Sequence, residues 1–276
     1  MATCSTCPHG CDLMLGKLGL CRSRRGGEDG VIAEGYGRIT SLALDPIEKK
    51  PIARWRSGTT VLSLGSYGCN MRCPFCQNAS IAQVGADEVS WRVVTPQEVV
   101  DAAVDLADRR CIGIAYTYNE PLVNWEFLRD TGMLAHEAGL VNVLVSNGMA
   151  TQSVLGEVAS LVDAANIDLK CFTDEGYRSL GGDLATVKRT IEVLAAEPAC
   201  HLEVTTLVVP GLSDDASQID EMARWLASLD SSIVYHLTRF FPQHRMADAR
   251  PTPVSTLHSL QRVSAAHLAD VVLGNV

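Results

Sequence analysis

Apolar positions along this chain follow two different patterns, divided near residue 57. From residue 59 onward, short and nearly continuous apolar runs alternate with longer stretches in which apolar residues recur every three or four positions. The first pattern marks buried strands and the second amphipathic helices. Strands are predicted at 60–64, 111–116, 140–145, 164–169, 201–209, 233–237 and 270–273. Helices are predicted at 96–110, 122–138, 151–161, 174–179, 184–196, 215–228 and 253–267. Thr95, Pro96 and Glu98 form a capping-box start for the first helix, and Gly139 closes the second.

Six or seven such units, with strands apolar on both faces, call for a parallel sheet with its helices outside. The expected fold is α/β, a partial (β/α)6-type TIM-like barrel over residues 57–276. In such barrels chemistry gathers at the C-terminal strand ends, so polar motifs directly after strands carry the functional reading.

Residues 1–56 read as a small Cys-rich segment and a connector. Cys4, Cys7, Cys11 and Cys21 are spaced C-x2-C-x3-C-x9-C among Pro8, Gly10, Gly16 and Gly19. A turn-rich segment too small for its own core, carrying four soft ligands, is expected to be stapled by a metal. Zinc and an auxiliary iron-sulfur cluster both fit this spacing, unliganded thiols are the alternative, and His9 is a substitute ligand. Short strands are expected at 31–33 and between 36 and 55, ending in a connector punctuated by Pro46 and Pro51.

Three further cysteines, Cys69, Cys73 and Cys76, follow the first core strand with spacing C-x3-C-x2-C. Gly65, Gly68 and Pro74 keep them off any regular helix or strand face, so they converge only on a loop. Structural zinc and electron-transfer clusters normally take four protein ligands. A trio leaves one coordination position open for a substrate or cofactor, with a zinc site or buried free thiols as the alternatives. Cys111 and Cys200 adjoin apolar runs and read as buried thiols, and Cys171, at a strand end, is a lesser active-site candidate.

The remaining strand ends are polar. TYNEP (117–121) brings Asn119 and Glu120 after the second core strand, SNG brings Ser146 and Asn147 after the third, and DLK brings Asp168 and Lys170 after the fourth. Asp168 and Lys170 alternate with Leu169, so they face the same way and pair with each other or with a ligand. Glu203, Thr205 and His201 share one face of the fifth strand, and the sixth runs into His236, Arg239 and His244.

Composition narrows the function. With 47% hydrophobic residues the chain has ample material for a core, and a net charge of -9 argues against nucleic-acid or anionic-membrane partners. No apolar run approaches a membrane span of about 20 residues. Ten cysteines behind an N-terminus, MATCSTCPHG, that lacks the pattern of a secretion signal point to a cytoplasmic protein.

The motifs GCNMRCPFCQNASIAQ, YTYNEPLVNWE and YHLTRFFPQHRMADARPTP, with CSTCPHGCDLMLGKLGLCRSR and YGRITSLALDPIEKKP before them, resemble the radical S-adenosylmethionine (radical SAM) superfamily. Within it the chain resembles AmmeMemoRadiSam-system proteins, relatives of pyruvate formate-lyase-activating enzymes. The resemblance implies that Cys69, Cys73 and Cys76 hold a 4Fe-4S cluster. It further implies that S-adenosylmethionine is cleaved reductively to a 5′-deoxyadenosyl radical that takes hydrogen from a substrate. Asn119, Glu120, Ser146, Asn147, Asp168, Lys170, Thr205, His236 and Arg239 are then the expected cofactor shell. A low-potential electron donor such as a flavodoxin or ferredoxin is implied, and a protein substrate is favoured over a small molecule. The non-enzymatic alternative is an iron-sulfur or zinc electron carrier or adaptor.

Overall fold

The computed structural model describes residues 1–276 and is built on one eight-stranded sheet. Its strands are β1 (Ser41–Pro46), β2 (Thr60–Gly65), β3 (Cys111–Tyr116), β4 (Val141–Ser146), β5 (Ala164–Asp168), β6 (His201–Val208), β7 (Val234–Arg239) and β8 (Val271–Gly274). Each strand lies beside the next in sequence, so the spatial order is β8-β7-β6-β5-β4-β3-β2-β1 and the two edge strands do not pair. Strands β2 to β8 run parallel; β1 pairs antiparallel with β2. The barrel is therefore partial, as expected, but has seven parallel strands where a (β/α)6 count implies six.

The crossovers carry α1 (Pro96–Val104), α2 (Trp125–Glu137), α3 (Gln152–Val158), α4 (Asp174–Ser179), α5 (Leu184–Ala196), α6 (Ala216–Leu229) and α7 (Val254–Ser264). The capping box at Thr95 is present: its hydroxyl accepts from Glu98 N at 3.2 Å, and the Glu98 carboxylate accepts from Thr95 N at 2.7 Å. Four helices are shorter than their sequence patterns, α2, α3 and α7 by a few residues and α1 by more. The first ends at Val104, and Ala107–Arg109 continue as a 3-10 turn; the second is preceded by a 3-10 turn, Pro121–Asn124, because Pro121 cannot extend an α-helix backward.

The sheet's outward residues, among them Ile114, Leu144, Ile167, Val204, Tyr235 and Leu237, pack with the helices into a core of 49 buried residues. A second, smaller core lies inside the barrel and combines Val61, Ala115, Val141, Val143 and Ala164 with Ile47 and Ile52 from the connector. Residues 47–56 thus plug the barrel's N-terminal mouth. The expected boundary after Arg56 does not fall at a break in the fold, since β1 belongs to the core sheet and the connector is bound within it.

Candidate functional site

The loop after β2 carries the cysteine trio and is held by Asn119 from the loop after β3. Asn119 Oδ1 accepts from Ser66 N at 2.8 Å, and its Nδ2 donates to the carbonyls of Tyr67 at 3.1 Å and Gly68 at 3.0 Å. Both amide hydrogens are engaged with the loop backbone, so Asn119, expected in a cofactor shell, clamps the cysteine loop in this structure.

Cys73 is buried, Cys69 and Cys76 are half-buried, and the three thiols lie within electrostatic reach of one another. Burial pushes all three thiols up, Cys73 to about 11, and the Glu120 charge raises Cys69 further. Without a cation among them they stay protonated, whereas a metal is bound by thiolates and expels those protons. No group of three Cys, His, Asp or Glu side chains stands at single-ion spacing.

Behind the trio, the ends of β3 and β4 form one network with the cysteine loop, and a separate ion pair stands at the end of β5. The buried Glu120 carboxylate accepts from Leu122 N at 2.9 Å and Ser146 Oγ at 2.7 Å through one oxygen, and from Asn147 N at 2.7 Å through the other. Burial raises its pKa to about 7, although these hydrogen bonds favour the charged form. Asn147 Nδ2 donates to Cys69 Sγ at 3.4 Å and to Asn70 Oδ1 at 2.9 Å. Lys170 Nζ meets Asp168 at 2.9 Å. Burial opposes the Lys170 charge, but Asp168 and Cys73 outweigh it and hold its pKa above the ordinary range.

Thr205 is the neighbour of Asp168 in register, and its hydroxyl is buried without a partner. An unpaired buried hydroxyl below a ring of polar strand ends fits a bound polar ligand. His236, next in register, turns its Nε2 to the carboxylate of Glu203 deeper in the barrel. Arg239 donates to Thr252 O at 2.8 Å and lies over the Phe241 ring. Neither joins the group around the trio in this structure. Cys171 is fully buried against Thr173 and Gly176.

Of the N-terminal cysteines, the thiols of Cys4, Cys7 and Cys21 lie within electrostatic reach of one another, and Cys11 is joined to Cys4 through its backbone. Cys4 N donates to Cys11 O at 2.9 Å, Cys4, Cys7 and Cys21 are buried, and burial with help from neighbouring thiols raises Cys7 to about 11. This segment packs on the loop of Cys69, Cys73 and Cys76. His9 Nε2 meets Asn70 O at 2.7 Å, so His9 is committed to that contact, and the Asn70 side chain also faces Cys7. Asn70 therefore joins both cysteine groups. It stood inside the quoted motif, yet nothing in its spacing distinguished it from a loop residue.

At Gly68 the two segments are packed too closely for a side chain. The Gly68 φ is +84°, and a Cβ there would lie 2.3 Å from Cys21 O. A Gly68→Ala variant is expected to lose about 1–3 kcal/mol in urea unfolding, with faster proteolysis of residues 1–40. A wild-type midpoint would show that the contact is not required.

A parallel barrel that gathers a three-thiol loop and a buried polar network at its C-terminal strand ends has the build of a barrel enzyme that uses a bound cofactor. The chain belongs to the Radical SAM superfamily, which it matches over residues 64–226. It is 37% identical over 275 residues to an uncharacterized protein of Methanocaldococcus jannaschii, covering 99% of this chain and 81% of that protein. It is 26% identical over 176 residues to the pyruvate formate-lyase 1-activating enzyme of Escherichia coli strain K12, covering 59% of this chain and 68% of that enzyme. The crystal structure of QueE from Escherichia coli shares the fold, with a TM-score of 0.55 and 13% identity over 86% of this chain and 92% of that one. The chain is accordingly a radical SAM enzyme, and no helix is long and apolar enough to cross a membrane.

Proposed function

We propose that Cys69, Cys73 and Cys76 hold a 4Fe-4S cluster and that the chain is an activating-enzyme-like radical SAM enzyme acting on a polypeptide. The observation that carries this reading is the trio of thiols beside the buried Glu120, Ser146 and Asn147 network, at the ends of three successive barrel strands. When bound, the cluster supplies one electron to S-adenosylmethionine, which gives methionine and a 5′-deoxyadenosyl radical that removes hydrogen from the substrate.

The chain's own residues position and shield this chemistry. Asn119 fixes the loop backbone, and Asn147 donates to the Cys69 sulfur, a contact of the kind that tunes a cluster's potential. Glu120 offers a buried carboxylate for the cofactor's ammonium group, and Asp168, Lys170 and Thr205 face the same mouth. The similarity to an activating enzyme supports a protein substrate and an external low-potential donor. A cytoplasmic setting is consistent with an oxygen-sensitive cluster. Cys4, Cys7, Cys11 and Cys21 are the proposed ligands of a second centre, zinc or an auxiliary iron-sulfur cluster, and would have to draw closer than they stand here to hold a single ion.

Anaerobic reconstitution with iron and sulfide, followed by dithionite and S-adenosylmethionine, is expected to give 5′-deoxyadenosine. Iron-loaded protein that yields none, and whose reduced EPR spectrum is unchanged by S-adenosylmethionine, would overturn the reading. Metal analysis of a variant with Cys4, Cys7, Cys11 and Cys21 changed to Ser is expected to show loss of zinc or of part of the iron.

A further inference from the structure

We infer that Asn70 is a positioning residue for the chemistry at the trio: held by the N-terminal segment, it turns the Asn147 amide onto the sulfur of Cys69 and so sets how readily the cluster takes up its electron. The inference rests on the proposed cluster at Cys69, Cys73 and Cys76, and it gives the N-terminal segment a part in that cluster's chemistry.

Asn70 is buried, and its side chain joins the cysteine loop to the stretch after β4. Its Nδ2 donates to Met149 O at 2.7 Å, and its Oδ1 accepts from Asn147 Nδ2 at 2.9 Å. Asn147 Oδ1 accepts in turn from Met149 N at 2.8 Å. With its oxygen and one amide hydrogen fixed in this way, Asn147 has a single hydrogen left, and that one is directed at Cys69 Sγ at 3.4 Å. Turning the amide over would set its oxygen against both Asn70 Oδ1 and the sulfur. The Asn70 acceptor therefore decides that Cys69 meets a donor.

Residues 5–9 hold both halves of this pair. His9 Nε2 donates to Asn70 O at 2.7 Å, while Thr151, two residues beyond Met149, donates to Ser5 O through Oγ1 at 2.7 Å and to Thr6 O through N at 3.1 Å. The Asn70 side chain also faces Cys7. The segment thus fixes the spacing between the cysteine loop and the end of β4, which is the spacing that the contact between Asn70 and Asn147 needs.

The direction of the effect follows from charge. An added electron makes the sulfur ligands of a cluster more negative, and an N–H aimed at one of them stabilises the reduced form. Losing that donor makes reduction harder. Asn70 and Asn147 are buried, at 3% and 6% exposure, so water does not take the place of a misdirected amide.

The test reads a potential. Wild type, Asn70→Ala, His9→Ala, Asn147→Ala and the two double variants with Asn147→Ala are reconstituted anaerobically. The EPR signal that S-adenosylmethionine perturbs is then titrated against potential with S-adenosylmethionine left out. Asn70→Ala is expected to lower the reduction equilibrium constant about tenfold, about 59 mV for a one-electron couple. His9→Ala, which leaves every thiol in place, should shift it the same way by about threefold. In the Asn147→Ala background neither change should move the potential further, because both act through that amide. A wild-type potential in either variant would overturn the inference. Shifts that persist at full size beside Asn147→Ala would do so too, since they report a general loosening of the loop. Should Asn70→Ala not fold, His9→Ala decides by the same two outcomes. If iron-loaded wild type shows no signal that S-adenosylmethionine perturbs, the cluster reading itself falls and takes this inference with it.

Discussion

A triple variant carrying Cys69→Ala, Cys73→Ala and Cys76→Ala produces 5′-deoxyadenosine only at the enzyme-free rate under dithionite, where reconstituted wild type produces it in proportion to loaded iron. The argument is one of donor chemistry. The trio are the only thiols on this loop, and the charged groups beside them, the Glu120 carboxylate and the Lys170 ammonium paired with Asp168, are a hard donor and a cation. Removing the thiols therefore removes the iron rather than weakening its hold. The fold should survive, because the polar contacts given up are those of Asn147 and the Met71 N–H with Cys69 Sγ, both at 3.4 Å. Weak contacts of this kind cost about 1 kcal/mol each. The unfolding midpoint should stay close to that of the metal-free wild type. Iron remaining in the variant would report the N-terminal cysteines, and 5′-deoxyadenosine at the wild-type rate would exclude the trio as the cluster site.

The barrel was legible because its signals are local. Near-continuous apolar strands, Thr95 with Glu98, and a turn after each helix place the units without reference to the rest of the chain. The cysteine loop was legible for a related reason, as three thiols within eight residues define a ligand set before any tertiary contact is known. Glu120, Ser146, Asn147, Asp168 and Lys170 were found through their positions after strands, and the structure groups them around the trio.

Direction of side chains was not legible. Asn119 and Glu120 are adjacent, yet the first turns to the loop backbone and the second to Ser146 and Asn147. His236 was expected on the sixth strand among the cofactor shell, but the partner that its ring meets is Glu203, 33 residues away. The connector was read as a Pro-punctuated turn. Its role as a plug rests on contacts with residues about 150 positions later, and nothing in 47–56 itself announces them.

That plug gives the largest expected effect on stability. Glu203, fully buried on the inner face of β6, accepts Ala53 N through both oxygens at 2.9 Å and Arg54 N at 2.9 Å. It also accepts from His201 at 2.8 Å and from His236. Burial alone would raise its pKa, but hydrogen bonds from the two histidines and the two backbone N–H groups lower it to about 2. Glu203→Ala strands all four donors beneath the barrel and frees the connector that carries Ile47 and Ile52. The loss of such a buried charged centre costs about 3–5 kcal/mol, which for a chain of this size lowers the melting temperature by roughly 6–20 °C. Acid should act through the same group. Because the folded pKa lies below the ordinary 4.5, the stabilisation is present above that pH and is lost as pH falls from 4.5 toward about 2. Wild type should lose stability in that window, and Glu203→Gln, already weakened at neutral pH, should lose less. Parallel pH profiles for the two, measured by chemical denaturation, would show that Glu203 does not hold the plug through its charge.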